Sequence, residues 1–249
     1  MSTNHISIVM IAKNAEMTIK SSLESLKAFD EVILYLNNSS DNTEAIAKEY
    51  ANVKVIHGEF LGFGPTKNKA AYYAKNDWIF SLDSDEEVLE KLIEELNNIK
   101  LTNKKEVFII KRDNYFLDKE VKYSGWGKDL LSRIYNKSFH QFNDNIVHEF
   151  IELKEETIKT HLSSSFKHNA VQDVNQFLKK IMSYSDLGAK DHKTCSFLTV
   201  ILKSTFAFFK TYILQRGFLD GWRGYVIAKS DANGRFYRYT KRYINCKIK

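Results

Sequence analysis

The sequence predicts an α/β fold: a mostly parallel central sheet with helices on both faces, extended at the C-terminus by further helices. Short runs rich in β-branched residues alternate with helical periodicity through the first hundred residues. The connections between them are short, which favours right-handed crossovers. From Val171 onward no proline interrupts a mainly helical pattern.

The runs His5–Ile11 (HISIVMI) and Glu31–Leu36 (EVILYL) are apolar at nearly every position and read as buried parallel strands. Between them Met17, Ile19, Leu23 and Leu26 recur at roughly helical spacing. Asp41 followed by Glu44 has the form of a capping box opening a helix that runs to Tyr50. Val53–Ile56 is a third strand. It leads into GEFLGFGPTKN, which carries three glycines and the only proline, Pro65, placed to open the next helix. DWIFSLDSDEEV gives a fourth strand breaking into an acidic turn, with a helix from Glu87 to Ile99. Beyond Glu106, VFIIKR, LLSRIY and HEFIEL read as strands. The expected divisions are residues 1–105, 106–170 and 171–249.

A hydrophobic fraction of 43% with 13% aromatics describes a globular chain able to bury a core. The formal charge is +6, and its surplus is C-terminal: residues 201–249 hold 11 Lys and Arg against 2 Asp, whereas residues 1–200 hold 26 against 29 acids. Such a segment suits an anionic partner, either a membrane surface or nucleic acid, or is a solvated face. A strand begins almost at the first residue, so no export signal is expected. Cys195 and Cys246 show no metal spacing and are expected as reduced thiols.

In sheets of this kind ligands sit at the carboxyl ends of the parallel strands. The loops after Ile11, Leu36 and Leu82 should therefore converge, and they hold AKNAE, NNSSDN and DSD. Asp83 and Asp85 project two carboxylates from a turn, a donor set that Mg²⁺ or Mn²⁺ completes with phosphate oxygens. The competing reading is an acidic turn that caps the following helix.

SIVMIAKNAE, NNSSDNT, GFGPTKNKA and DWIFSLDSDE, in that order and spacing, resemble the nucleotide-binding half of family 2 glycosyltransferases with the GT-A fold. WGKDLLSRIYN, VHEF and LQRGFLDGWRGY are similar to bacterial lipopolysaccharide core transferases that add glucose or a related sugar to heptose. The resemblance makes residues 1–105 the nucleotide-sugar half, 106–170 the acceptor half and 171–249 a basic helical extension. It implies inverting transfer from a nucleotide-sugar donor, a UDP-sugar favoured, to a lipid-linked oligosaccharide acceptor.

Carried onto this chain, the resemblance places Asn14 and Glu16 along the nucleotide pocket and Asn37 at the base or ribose edge. Lys67 and Asn68 face the donor, Asp83 approaches the ribose or metal, and Asp85 ligates the metal. His168, preferred over His148, is a further metal ligand or else a histidine satisfied by a structural hydrogen bond. Glu149 is the candidate base that takes the acceptor proton, or an ion-paired structural residue near Arg133; Asp129 is the second candidate. Trp126, between Gly125 and Gly127, is a lid stacking on a sugar or a core tryptophan. One departure stands out: where the family writes Asp at the close of the second strand, this chain has Leu36 followed by Asn37.

The apolar stretch Ser196–Leu214 carries Lys203 and Lys210. A central Lys costs about 2.5 to 3.5 kcal/mol on insertion scales, so the stretch is expected to lie in a membrane interface or to pack on the catalytic domain. The expected location is cytoplasmic, peripheral on the inner face of a bacterial inner membrane, against an anionic membrane surface. Two alternatives are a transferase using another donor such as ADP-heptose, and a nucleic-acid binder using the basic, aromatic tail. No basic patch accompanies the acidic loops, so no nucleic acid partner is expected.

Overall fold

The computed structural model describes residues 2–145, 148–189 and 196–248. The chain divides into two compact units: Met1–Arg112 with Asp129–His168, and Asp113–Lys128 with Asn169–Lys249.

The first unit is built on β1 (Ile6–Ala12), β2 (Val32–Leu36), β3 (Val53–His57) and β4 (Trp78–Asp83), which pair in parallel in the order β3-β2-β1-β4. Every residue of β1 and β2 is buried, as their apolar runs, broken only by Ser7, require. Successive side chains alternate faces. Ile8 and Met10 join Leu34, Phe80 and Phe166 in one core cluster, with Ile19 and Leu23 of α1 (Ile19–Glu24) and Leu92 and Leu96 of α4 (Glu90–Asn98). Val9 and Ile11 join Ile33, Tyr35 and Ile79 in a second cluster, under Ala70 and Ala71 of α3 (Phe63–Tyr72). Helices therefore cover both faces, as expected.

From β4 outward the sheet turns antiparallel. β8 (Asp129–Asn136) pairs with β4 and with β6 (Glu106–Phe116), and β5 (Glu86–Val88) pairs with β9 (Ile158–Val171). The sheet is thus mixed, and its long last strand is absent from the sequence reading. β9 has a half-exposed face with three consecutive serines, so its alternation is hidden behind polar residues. The expected helix from Glu87 begins only at Glu90, because Glu86, Glu87 and Val88 align opposite His168, Lys167 and Phe166. HEFIEL forms no strand among the described residues; it contributes a single bridge, Ile151 to Phe142. The helix expected to run to Tyr50 is the short α2 (Thr43–Ala47). Its N-cap is Asn42, with Asp41 accepting from the Thr43 N–H at 3.1 Å. Pro65 lies inside the first turn of α3, where no intrahelical donor is lost, rather than at its first residue.

In the second unit, α5 (Val174–Leu187), α6 (Phe197–Phe209) and α7 (Trp222–Lys247) follow one another, with the two-residue β7 (Lys119–Glu120) paired to the end of β6. Asp173 caps α5 by accepting from the N–H groups of Asn175 and Gln176. Asp220 accepts from the N–H groups of Lys122 and Tyr123 and from the Ser124 hydroxyl, and so pins the 122–124 turn. Cys246, expected as a reduced thiol, is disulfide-bonded; Cys195 lies outside the described residues.

Candidate active site

The carboxyl ends of β1, β2 and β4 come together as the parallel order requires. Asn14 and Asn38, short polar residues that tolerate left-handed backbone, take φ values of 52° and 55° where the chain leaves β1 and β2. The two loops are stitched to each other. Asn14 Oδ1 accepts from the Ser40 N–H at 2.8 Å, and Glu16 Oε2 accepts from the backbone and side-chain amides of Asn42, both at 3.1 Å. The side chains expected along a nucleotide pocket therefore also fix the shape of that edge. Asn37 follows directly on β2; it is buried, and its N–H bonds the Ala12 carbonyl at 3.1 Å. Leu36, where the family writes Asp, is part of the core.

At the end of β4 a charged cluster surrounds Asp83. Its Oδ1 accepts from Lys67 Nζ at 2.9 Å and its Oδ2 from Arg133 Nη2 at 3.1 Å. Lys67, on α3, is almost wholly buried, and its Nζ also reaches Glu149 Oε1 at 2.9 Å. Glu86, fully buried, is the hub behind them. Its Oε2 accepts from the Asp83 N–H at 2.9 Å, and its Oε1 from Arg133 at 2.6 Å and Arg112 at 3.2 Å. Arg112 in turn binds Asp129 through Nε at 2.8 Å and Nη2 at 2.7 Å. Lys67, Asp83, Arg112, Arg133 and Glu149 line a cavity of about 510 Å³ whose remaining wall is largely apolar.

The electrostatics follow from this packing. Burial alone would raise the Asp83 carboxyl, but the charges and hydrogen bonds of Lys67 and Arg133 outweigh it and hold the group well below the usual carboxylate range. For Glu86 burial wins, aided by the neighbouring Asp83 and Asp85 and opposed by Arg133 and Arg112, so its carboxyl is pushed up. Burial would weaken the Arg133 guanidinium, but Glu86 and Asp83 more than restore it and it stays charged.

A family model described as "Glycosyl transferase family 2" matches residues 7–159, well over half of the chain and the whole stretch from β1 to the start of β9. The chain belongs to glycosyltransferase family 2. It is 28% identical to an uncharacterized glycosyltransferase of Rickettsia bellii over 264 residues, covering 96% of this chain and 86% of that one. An uncharacterized glycosyltransferase of Rickettsia conorii is 27% identical, covering 96% and 90%. Among solved structures, S. aureus TarS 1-349 in complex with UDP-GlcNAc aligns over 98% of this chain and 91% of that one at 14% identity, with a TM-score of 0.46.

In this family 2 enzyme the structure brings five of the expected site residues into two neighbouring groups. Lys67, Asp83 and Glu149 share one set of ion pairs. Asp85 and His168 face each other, Oδ2 to Nε2 at 3.5 Å, because β5 pairs with β9. The expected ion pair of Glu149 with Arg133 is made by Lys67 instead. Asn68, expected to face the donor, has its amide oxygen bonded to the Phe142 N–H and its amide nitrogen to the Phe142 carbonyl, both at 2.8 Å. It thus holds the segment leading to Glu149. His148 is exposed with φ of 62°, and Ile146 and Val147 of the same motif lie outside the described residues.

Trp126 belongs to the second unit and packs against its core of Phe116, Val121, Val171 and Ile227. Its flanking glycines meet local backbone requirements. Gly125 has φ of +82°, and a Cβ on Gly127 would lie 1.8 Å from the Lys122 carbonyl oxygen. Glu86 and Arg112 are absent from the sequence reading. Their signal was an acid directly after the Asp-x-Asp turn and an arginine two residues past a buried apolar run.

A divalent ion has donors of the right kind here. Asp85, in the turn before β5, supplies a carboxylate and His168 of the adjoining β9 an imidazole, and hard cations of this class complete their shells with phosphate oxygens and water. Among the described residues no three His, Cys, Asp or Glu side chains form a ready-made cage.

Proposed function

We propose that the enzyme is an inverting, metal-dependent hexosyltransferase that moves glucose from UDP-glucose to a heptose of a lipid-linked core oligosaccharide. The observation that carries this reading is the convergence of Lys67, Asp83 and Glu149 on one cavity within a family 2 chain. In this reading the acceptor hydroxyl gives its proton to a carboxylate oxygen of Glu149 as its oxygen bonds the anomeric carbon. The bond from that carbon to the diphosphate breaks, and the nucleoside diphosphate leaves with the electron pair.

Lys67, 2.9 Å from both Glu149 and Asp83, keeps the base oriented and would turn toward the diphosphate by loosening one of those ion pairs. Asp83 fixes Lys67 and Arg133 in place. Asp85 and His168 would hold Mg²⁺ or Mn²⁺, which supplies positive charge against the departing diphosphate. Asp129, tied to Arg112, serves as a structural partner rather than the base. A lipid acceptor accounts for the basic C-terminal segment and would place the enzyme on the cytoplasmic face of the inner membrane.

The test is nucleotide release from UDP-glucose, UDP-galactose, UDP-N-acetylglucosamine and ADP-heptose, with and without Mn²⁺, for wild type and Asp85→Ala. Metal-dependent turnover of UDP-glucose that is lost in the variant is the expected result. Turnover of ADP-heptose alone would replace the donor. No binding of any nucleotide sugar, with Asp85→Ala fully active in cells, would overturn the reading.

A further inference from the structure

The second unit contains a cavity of about 330 Å³, within the range of small-molecule sites. Its lining combines apolar residues such as Trp126 and Ile227 with Lys210, Gln215, Asp231 and Arg235. A carbohydrate is suited to such walls, because a sugar ring has an apolar C–H face for an aromatic ring and hydroxyls for amides and charged groups. Asp231 is already engaged: Arg235 Nε lies 3.3 Å from one of its oxygens and the Thr211 hydroxyl 3.2 Å from the other. Lys210 makes no ion pair among the described residues. The surplus charge of the cavity is therefore positive and calls for an anionic group on the sugar.

The backbone has been altered at this place. The Gln215 N–H donates to the Lys210 carbonyl at 2.8 Å, five residues back, so that α6 ends in the wide turn Lys210–Leu214. Turns of this kind are rare and recur at functional sites. This one sets Lys210, Thr211 and Gln215 together in the cavity wall.

The same helix presents an unusual surface. Phe197–Leu214 has a mean hydropathy of 1.4 and is only 17% buried. Val200, Ala207 and Thr211 are buried where α6 packs along α7, while Phe197, Leu198, Ile201, Leu202, Phe206, Phe209, Ile213 and Leu214 are exposed. Residues 196–219 contain Lys203, Lys210 and Arg216 and no acid, a charge pattern complementary to an anionic lipid surface.

We propose that this cavity binds the phosphorylated sugar head group of a lipid-linked saccharide whose hydrocarbon lies against the exposed face of α6. The site deepens the reading of a lipid-linked acceptor and rests on it for its role in catalysis. The test measures binding of the full-length protein to phosphatidylcholine vesicles carrying a deep-rough lipopolysaccharide, against vesicles matched in charge with phosphatidylglycerol. Wild type is expected to favour the glycolipid vesicles by about ten-fold. Gln215→Leu, which leaves the charge unchanged, and Lys210→Met should each reduce the preference to less than about three-fold with unaltered thermal unfolding.

Equal affinity for the two vesicles, or a preference retained in both variants, overturns the proposal. Glucose 6-phosphate in solution is expected to bind far more weakly than the glycolipid. Equal binding would overturn the part assigned to the lipid. A wild type that prefers the glycolipid but releases nucleotide from no sugar donor sinks the transferase reading while leaving this site standing.

Discussion

Replacing Glu86 by alanine tests whether the candidate site is organised from behind. The side chain is fully buried and accepts from the Asp83 N–H at 2.9 Å, Arg133 at 2.6 Å and Arg112 at 3.2 Å. In Glu86→Ala, Arg112 keeps Asp129 and Arg133 keeps only its 3.1 Å bond to Asp83, while one buried backbone N–H is orphaned. Removing one partner of a buried ion pair costs about 3 to 5 kcal/mol, because the remaining charge is stranded away from water. At about 2 to 4 °C per kcal/mol for a chain of this size, unfolding should move down by about 6 to 20 °C.

Glu86→Gln should lose less, about 1.5 to 3 kcal/mol, since its amide oxygen still accepts from the arginines, while the charge assistance and the acceptor for the Asp83 N–H are gone. Burial already pushes the Glu86 carboxyl up, which works in the same direction. Thermal unfolding followed by near-ultraviolet circular dichroism reads all three proteins. A Glu86→Ala protein unfolding within 2 °C of wild type, or Glu86→Gln falling further than Glu86→Ala, would refute the hub.

Glu149→Gln should lower kcat by about 10² to 10⁴ with little change in the donor KM, checked by steady-state nucleotide release. In Gly64→Ala the new Cβ would stand 1.9 Å from the Asn143 carbonyl oxygen. Displacing that backbone should cost about 1 to 3 kcal/mol by urea unfolding and reduce activity through the segment that carries Glu149. His140 is buried, its Nε2 is 2.9 Å from the Thr157 hydroxyl, and its Nδ1 has no hydrogen-bond partner. Burial, with Lys154 adding to it, lowers its pKa, so the fold prefers the neutral ring. Stability is therefore full above the ordinary pKa of about 6.5 and falls as the pH drops below it. The urea midpoint should decline from pH 7 to pH 5 in wild type and decline less in His140→Gln.

The parallel half of the fold was readable because its physics is local. HISIVMI and EVILYL are apolar at every buried position except Ser7, the pattern of a strand covered on both faces. The antiparallel half was harder to read because its strands are held by partners far along the chain. Glu86–Val88 carries two acids and a valine, which suggest a helix start until the strand near His168 is known. The site divides in the same way. Asp83 and Asp85 were visible as a turn after a buried strand, whereas Arg112 declares itself only once β6 lies beside β8. Asn68 and Trp126 carried side chains suited to ligands, yet tertiary structure engages the first with the Phe142 backbone and divides the second between a hydrophobic cluster and the wall of the cavity in the second unit.

The charge balance of the cluster bears on the metal independently of any motif. Lys67, Arg112 and Arg133 supply three cations, and Asp83, Glu86, Asp129 and Glu149 supply four carboxyl groups that hold them by ion pairs. A diphosphate entering beside them brings further negative charge to a place whose cations already have partners. Lys67 could turn to it only by loosening Asp83 or Glu149, and Arg133, almost fully buried between Asp83 and Glu86, has little freedom to turn at all. In the proposed reading, further positive charge for the donor would come from a divalent ion outside the cluster. Asp85 and His168, at its edge and 3.5 Å apart, are the pair placed to hold it. On this argument neutralising Asp85 should weaken the donor chiefly through the ion, so that excess Mn²⁺ partly rescues Asp85→Asn. A loss that Mn²⁺ does not touch would instead place Asp85 directly against the nucleotide.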